Sequence, residues 1–187
     1  MSEKKYISAD QLLDDSFRLG AAIIASGFVP DFIVGVWRGG TPVGIAIQEL
    51  LDYCGYTTDH IAIRTSYYTG IDQRAEQVQV HGLHYIANQV RADQALLLVD
   101  DVFDTGASMQ QIIARLQADC GSNMPEIKIA TPYYKPANNV TCLTPDFYLH
   151  ETDRWLVFPH ELQGLTEQEI LNEKPGIEAI RHLIEQG

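Results

Sequence analysis

Two adjacent carboxylates, Asp100 and Asp101, and a third at Asp104 stand directly ahead of Thr105-Gly106-Ala107-Ser108. The hydroxyl residues and backbone amides of that second group are donors, and Gly106 permits close backbone approach or a positive φ. Donors of this kind at the start of a helix suit a phosphate. The carboxylates would repel a phosphate, so they call for a different partner. Two acceptors just ahead of a phosphate cradle suit the paired 2′- and 3′-hydroxyls of a ribose, or a hydrated Mg²⁺ shared with it. The elements that must hold these residues are visible on either side. Ala95 to Val99 is a short, branched, apolar run that reads as a buried parallel strand, and Met109, Ile112, Ile113 and Leu116 recur at helical spacing. The carboxylates and donors therefore occupy a strand-to-helix turn, the place where open α/β sheets bind ligands. Read without ligand chemistry, the same residues are a strand-to-helix turn with Asp104 or Thr105 as N-cap.

A second turn of the same kind lies upstream. Phe32 to Trp37 reads as a strand, Arg38-Gly39-Gly40 as the turn, and Thr41-Pro42 as the N-cap and first residue of a helix carrying Val43, Ile47, Leu50 and Leu51. One guanidinium with two glycine amides suits a pyrophosphate at the same sheet edge. Around these turns, Leu13, Phe17, Ala21 and Ile24 mark an amphipathic helix that Gly27 can end. Asp59 to Ser66, Val78 to Val80, Ile127 to Pro132 and Phe147 to Leu149 read as further strands. The polar stretch Tyr67 to Gln77 with Gly70 is expected to form a hairpin or lid, residues 135–144 an irregular loop, and residues 162–187 two short helices. Strands alternating with helices imply an α/β fold with a central, mostly parallel sheet flanked by helices.

Length and charge narrow the partners. At 187 residues the chain is expected to form one domain, 1–187, and a net charge of −12 disfavours nucleic acid and anionic membrane surfaces. Cys54, Cys120 and Cys142 are odd in number and lack paired-ligand spacing, and the six histidines show no metal-ligand pattern. No Gly-x-x-x-x-Gly-Lys-Ser/Thr and no Gly-x-Gly-x-x-Gly following a strand is present. The N-terminal Met-Ser-Glu-Lys-Lys-Tyr lacks an apolar signal region and the apolar runs are strand-length, so a cytoplasmic protein without a membrane span is expected.

Two later residues bear on a base. Lys135, after the strand at Ile127 to Pro132, offers only donors, so it favours a carbonyl oxygen such as O6 of hypoxanthine, guanine or xanthine over the exocyclic amine of adenine. Trp155 can stack on a purine, and the backbone from Leu156 onward can read its pyrimidine edge.

The run Ala95 to Ser108 resembles the phosphoribosyl-pyrophosphate (PRPP) signature of the type I phosphoribosyltransferases, with hydrophobic residues, two acidic residues, two spacers, Asp-Thr-Gly and a small hydroxyl pair. Arg38-Gly39-Gly40 resembles the pyrophosphate loop of that family, and Ser66-Tyr67 resembles the Ser-Tyr of its flexible catalytic loop, which closes over PRPP. Residues 153–161 resemble the base-binding hood of the bacterial xanthine-guanine type. The resemblance implies the type I phosphoribosyltransferase fold with a small hood at about 135–165. It places Asp100 and Asp101 at the ribose hydroxyls and Mg²⁺, and Thr105, Gly106, Ala107 and Ser108 around the 5′-phosphate. It also implies Asp104 as the catalytic residue facing the base, Lys135, Trp155 and Leu156 as base-binding, Glu161 near Mg²⁺, and a homo-oligomer, dimer or tetramer. The expected activity is Mg²⁺-dependent transfer of the 5-phosphoribosyl group from PRPP to a 6-oxopurine, giving the nucleoside monophosphate and pyrophosphate in purine salvage. The alternatives are a pyrimidine or orotate phosphoribosyltransferase and a PRPP-binding regulator without turnover.

Overall fold

A computed structural model describes residues 3–68 and 77–185. In chain order its elements are β1 (Lys4–Tyr6), α1 (Ala9–Ala25), β2 (Phe32–Trp37), α2 (Gly40–Tyr53), β3 (Asp59–Tyr68), β4 (Gln77–His81), α3 (His84–Gln89) and β5 (Ala95–Val99). These are followed by β6 (Val102–Phe103), α4 (Ala107–Cys120), β7 (Glu126–Tyr134), β8 (Phe147–Glu151), β9 (Trp155–Val157), α5 (Glu167–Glu173) and α6 (Arg181–Ile184). The contacts divide them into two compact units, one of residues 13–153 and one of residues 1–12 with 154–187.

The larger unit is built on a seven-stranded sheet ordered β4-β3-β2-β5-β7-β6, with β8 also paired to β7. Every described pairing is parallel except β3 with β4. β2 and β5 are central because they are apolar throughout. Val34, Leu96, Leu97 and Leu98 have no exposed surface, and Ile112 and Leu116 of α4 are equally buried. A strand that must bury both faces cannot carry the alternating polar residues of an exposed strand, and these runs have none.

The pairing register explains where the carboxylates stand. β5 follows β7 as far as Val99 opposite Ala130, and β6 resumes beside the same strand with Val102 opposite Tyr133 and Phe103 opposite Tyr134. Asp100 and Asp101 fall in the gap, at the C-terminal edge of the sheet. The next step of the β6 register brings Asp104 beside Lys135, whose N–H donates to the Phe103 carbonyl at 2.9 Å.

Two expectations are corrected. Thr41 does not cap α2: the helix begins at Gly40 with Gly39 as N-cap and no side-chain cap bond, and the Thr41 hydroxyl is buried without a partner. Neither Asp104 nor Thr105 caps α4, whose N-cap is Gly106 at φ 79°. The sheet also gains β6, a two-residue strand too short to show periodicity.

The smaller unit carries a two-stranded parallel sheet of β1 and β9, with Lys4 opposite Trp155 and Lys5 opposite Leu156. α5 opens with a reciprocal capping box between Thr166 and Glu169, and Glu169 also pairs with Lys4. No helix among the described residues is long and apolar enough to cross a membrane.

In the larger unit α1 is held to the sheet through one buried carboxylate. Asp15, 3% exposed at its side chain, accepts from Tyr133 Oη at 3.3 Å and His150 Nε2 at 2.9 Å, with Arg18 Nη1 at 3.4 Å. The Tyr133 and His150 rings stack with centroids 4.9 Å apart. Burial, then the charge and hydrogen bond of Asp15, push the Tyr133 phenol well above its ordinary value. The unfolded phenol ionises near pH 10 while the folded one stays protonated, so the stability that Tyr133 contributes is present below pH ~10 and lost as pH rises above it. Tyr133→Phe is expected to lower stability by about 0.5–1.5 kcal/mol at neutral pH and to flatten the fall in stability above pH ~10, read by urea unfolding across pH.

Candidate functional site

The turn after β2 and the turn after β5 are in direct contact, and glycine makes the contact possible. A Cβ on Gly39 would stand 1.8 Å from Asp101 Oδ2, and one on Gly40 would stand 2.1 Å from the Val99 carbonyl oxygen and 2.8 Å from Asp100 Cα. No side chain fits at either position, so Arg38-Gly39-Gly40 lies directly on Val99-Asp100-Asp101. The Trp37–Arg38 peptide bond is cis. Trp37 is 54% exposed, and Arg38 is exposed beside the two buried glycines.

Asp101 is buried and Asp100 is partly so. Asp100 Oδ1 accepts from the Asp101 N–H at 3.0 Å. Burial, and then the adjacent Asp101 carboxylate, push the Asp100 carboxyl well above the usual carboxylate range. Two carboxylates held this close invite a cation or hydroxyl donors between them and the solvent. Hard oxygen donors in this number fit Mg²⁺, which binds through one or two carboxylates while water and substrate oxygens complete its octahedron. Among the described residues no cluster of three or more His, Cys, Asp or Glu could hold a metal by itself.

Beyond the carboxylates the chain turns into α4 through Gly106. Its positive φ excludes a side chain, and a Cβ there would meet Thr141 Oγ1 at 2.5 Å and the Phe103 ring at 2.8 Å. Thr105 Oγ1 accepts from the Ala107 N–H at 3.3 Å, and no side chain caps the helix. The start of α4 thus presents backbone donors, the Thr105 and Ser108 hydroxyls and the positive end of the helix dipole, as an anion cradle requires.

Asp104 meets two donors. Lys135 Nζ lies 3.0 Å from its Oδ2, and Asn138 Nδ2 donates to its Oδ1 at 2.7 Å. The Lys135 side chain is 10% exposed and the Asp104 side chain 41%, so the ammonium is sheltered while the carboxylate opens to solvent. Asn138 is the residue that the sequence reading missed. The segment it treats as an irregular loop opens with a 3₁₀ turn, Pro136–Asn138. It is fixed by Asn139, which donates to the Leu143 carbonyl at 2.7 Å and accepts from Thr141 N–H and Oγ1, each at 2.9 Å. Val140 N–H donates to the Thr105 carbonyl at 3.0 Å, which ties the loop to the cradle. The three-residue step from Lys135 to Asn138, with Pro136 between them, is the signal that could have found it.

The larger unit therefore brings together Arg38, Gly39, Gly40, Asp100 and Asp101, and joins Asp104 to Lys135 beside Thr105, Gly106, Ala107 and Ser108. Trp155, Leu156 and Glu161 belong to the smaller unit. There Trp155 is 60% exposed, while Leu156 is buried. Glu161 Oε2 accepts from the Phe158 N–H at 2.9 Å, and Lys174 Nζ donates to the Phe158 carbonyl, so this turn is held from both sides. Burial holds the Lys174 amine below its ordinary value. The expected lid, Tyr67 to Gln77, falls outside the described residues at 69–76, as do the side chains of Ser66 and Tyr67.

Residues 8–162 match the family model for the phosphoribosyl transferase domain. The chain is similar to a purine phosphoribosyltransferase from Pyrococcus horikoshii, at 28% identity and a TM-score of 0.69 over 87% of this chain and 97% of that one. It shares its fold with the Helicobacter pylori xanthine-guanine-hypoxanthine phosphoribosyltransferase, at 20% identity and a TM-score of 0.65 over 83% and 92% of the two chains. It also shares its fold with a Neisseria gonorrhoeae hypothetical protein with bound ppGpp, at 20% identity and a TM-score of 0.74 over 91% and 96%. No curated protein matches the chain.

The glycine contact has a direct test. Gly40→Ala is expected to lower stability by about 1–3 kcal/mol, because backbone rather than a flexible side chain occupies the space of the new methyl. Gly44→Ala in the same helix meets nothing closer than 3.8 Å and is expected to be neutral or stabilising. Chemical denaturation of both variants reads the contrast.

Proposed function

This chain belongs to the phosphoribosyl transferase domain family, and from that premise we propose that it transfers the 5-phosphoribosyl group of PRPP to a 6-oxopurine, releasing pyrophosphate. The observation that carries the choice of base is the Lys135–Asp104 pair, an ammonium and a carboxylate 3.0 Å apart. A 6-oxopurine with a proton on N7 displays an acceptor at O6 beside a donor at N7, and the pair is complementary to both. Adenine would set its exocyclic amine against the ammonium, leaving two donors face to face.

In this reading the Gly39 and Gly40 turn and the Arg38 guanidinium receive the pyrophosphate, whose negative charge grows as the C1–O bond breaks. Asp100 and Asp101 accept from the ribose 2′- and 3′-hydroxyls, and Thr105 to Ser108 hold the 5′-phosphate at the start of α4. Mg²⁺, held by Asp100 and Asp101, would supply charge neutralisation of the leaving group. N9 of the purine attacks C1 as the N7 proton passes towards Asp104, so the base remains neutral in the nucleotide and no covalent enzyme intermediate forms. Trp155 stacks on the purine, Leu156 reads its edge through the backbone, Glu161 contributes near the metal, and Ser66 and Tyr67 belong to the covering loop. These four roles rest on the sequence resemblance. A cytoplasmic place in purine salvage and a homo-oligomeric state belong to the same proposal.

Incubation of the purified protein with PRPP, Mg²⁺ and each of hypoxanthine, guanine, xanthine, adenine and orotate tests the reading. Nucleotide is expected from at least one 6-oxopurine and not from orotate. PRPP binding with no nucleotide from any base would instead mark a regulator. Lys135→Met is expected to raise KM for the 6-oxopurine while leaving that for PRPP nearly unchanged, and to make adenine a less poor competitor. Asp104→Asn is expected to lower kcat by about 10²- to 10⁴-fold.

A further inference from the structure

Asn138 has no part in the reading above, yet it makes the shorter of the two contacts to Asp104. Its Nδ2 lies 2.7 Å from Oδ1, and Lys135 Nζ lies 3.0 Å from Oδ2. The two donors stand three residues apart on the 3₁₀ turn, which the Asn138 N–H closes onto the Lys135 carbonyl at 3.1 Å. Lys135 is the N-cap of that turn and Asn138 its last residue, and each sets its donor on a different oxygen of the one carboxylate. The two differ in chemistry. Lys135 is a charged donor that a substrate carbonyl can draw away, whereas Asn138 is a neutral donor on an exposed turn with a different oxygen of Asp104 to itself.

Resting on the assignment of Lys135 to O6 and Asp104 to N7, we propose that Asn138 is a positioning residue that holds Asp104 through Oδ1 while Lys135 passes from Oδ2 to the base. Oδ2 is then left facing N7 with its orientation fixed. Without Asn138, a carboxylate that has just lost its ammonium partner is free to rotate towards solvent, and the fraction of bound complexes with Oδ2 on N7 falls. The effect belongs to the chemical step and not to PRPP, whose cradle is built from other residues.

Steady-state kinetics on Asn138→Ala, Asn138→Gln and Asn138→Asp, and on Asn138→Ala combined with Asp104→Asn, test this. Asn138→Ala is expected to lower kcat on the order of tenfold with KM for PRPP within about twofold of wild type. Asn138→Gln restores part of the loss because it keeps the donor. Asn138→Asp falls below Asn138→Ala because it sets a second carboxylate against Asp104. In the Asp104→Asn background, Asn138→Ala changes kcat by less than about twofold, since a residue that acts through Asp104 has nothing further to lose there. A second full loss in that background, or a KM for PRPP that rises in step with the fall in kcat, overturns the positioning role and leaves the Asp104 assignment standing. Wild-type kcat in Asp104→Asn alone overturns the acid–base assignment, and the role of Asn138 with it.

Discussion

The contact between two turns at the C-terminal edge of the sheet governs the rest of the molecule. Gly39 and Gly40 lie so close to Val99, Asp100 and Asp101 that no Cβ fits between them. Two consequences follow from this approach. The backbone of Gly39 and Gly40 is brought directly against a pair of carboxylates. The turn also shields the carboxylates from solvent, and burial, then the neighbouring Asp101 charge, raises the Asp100 carboxyl well above its usual range. Such a pair is costly without partners.

The central strands make the contact possible. β2 and β5 are adjacent and parallel, paired from Phe32 opposite Leu96 to Gly35 opposite Val99, so their C-terminal turns emerge side by side. Gly35 itself is part of the fit, since a Cβ there would stand 3.3 Å from the Gly40 carbonyl oxygen. On the other flank β7 continues past the end of β5 and picks up β6, and this carries Lys135 to Asp104. One strand thus supplies both the scaffold for the carboxylates and the ammonium that faces the third one.

Much of this was legible in the chain. The apolar runs Phe32 to Trp37 and Ala95 to Val99 have no competing periodicity, and both strands appear with those limits. The strand-to-helix turn from Asp100 to Gly106 was legible from the apolar run before it and the helical spacing after it, and it lies between β5 and α4. What was not legible depends on pairing and packing. Thr41-Pro42 has the form of a cap and first turn, yet the helix starts two residues earlier, at Gly40, and the Thr41 hydroxyl is buried. β6 exists only because β7 is beside it. Asn138 reaches Asp104 because a 3₁₀ turn closes after Lys135, and the three-residue step across Pro136 is the one mark of that in the sequence. His150 likewise shows no spacing with any other histidine, and its partner Asp15 is 135 residues away.

The central claim is that the carboxylate pair beneath the glycine turn receives the ribose of PRPP. Calorimetric titration of the wild type, Asp100→Ala and Asp101→Ala with PRPP in Mg²⁺ tests it most directly. The wild type is expected to bind, and each substitution to weaken binding by about 1.5–3 kcal/mol, the value of a hydrogen bond to a charged acceptor. Wild-type affinity in both variants, or a wild type that does not bind PRPP, would contradict the account.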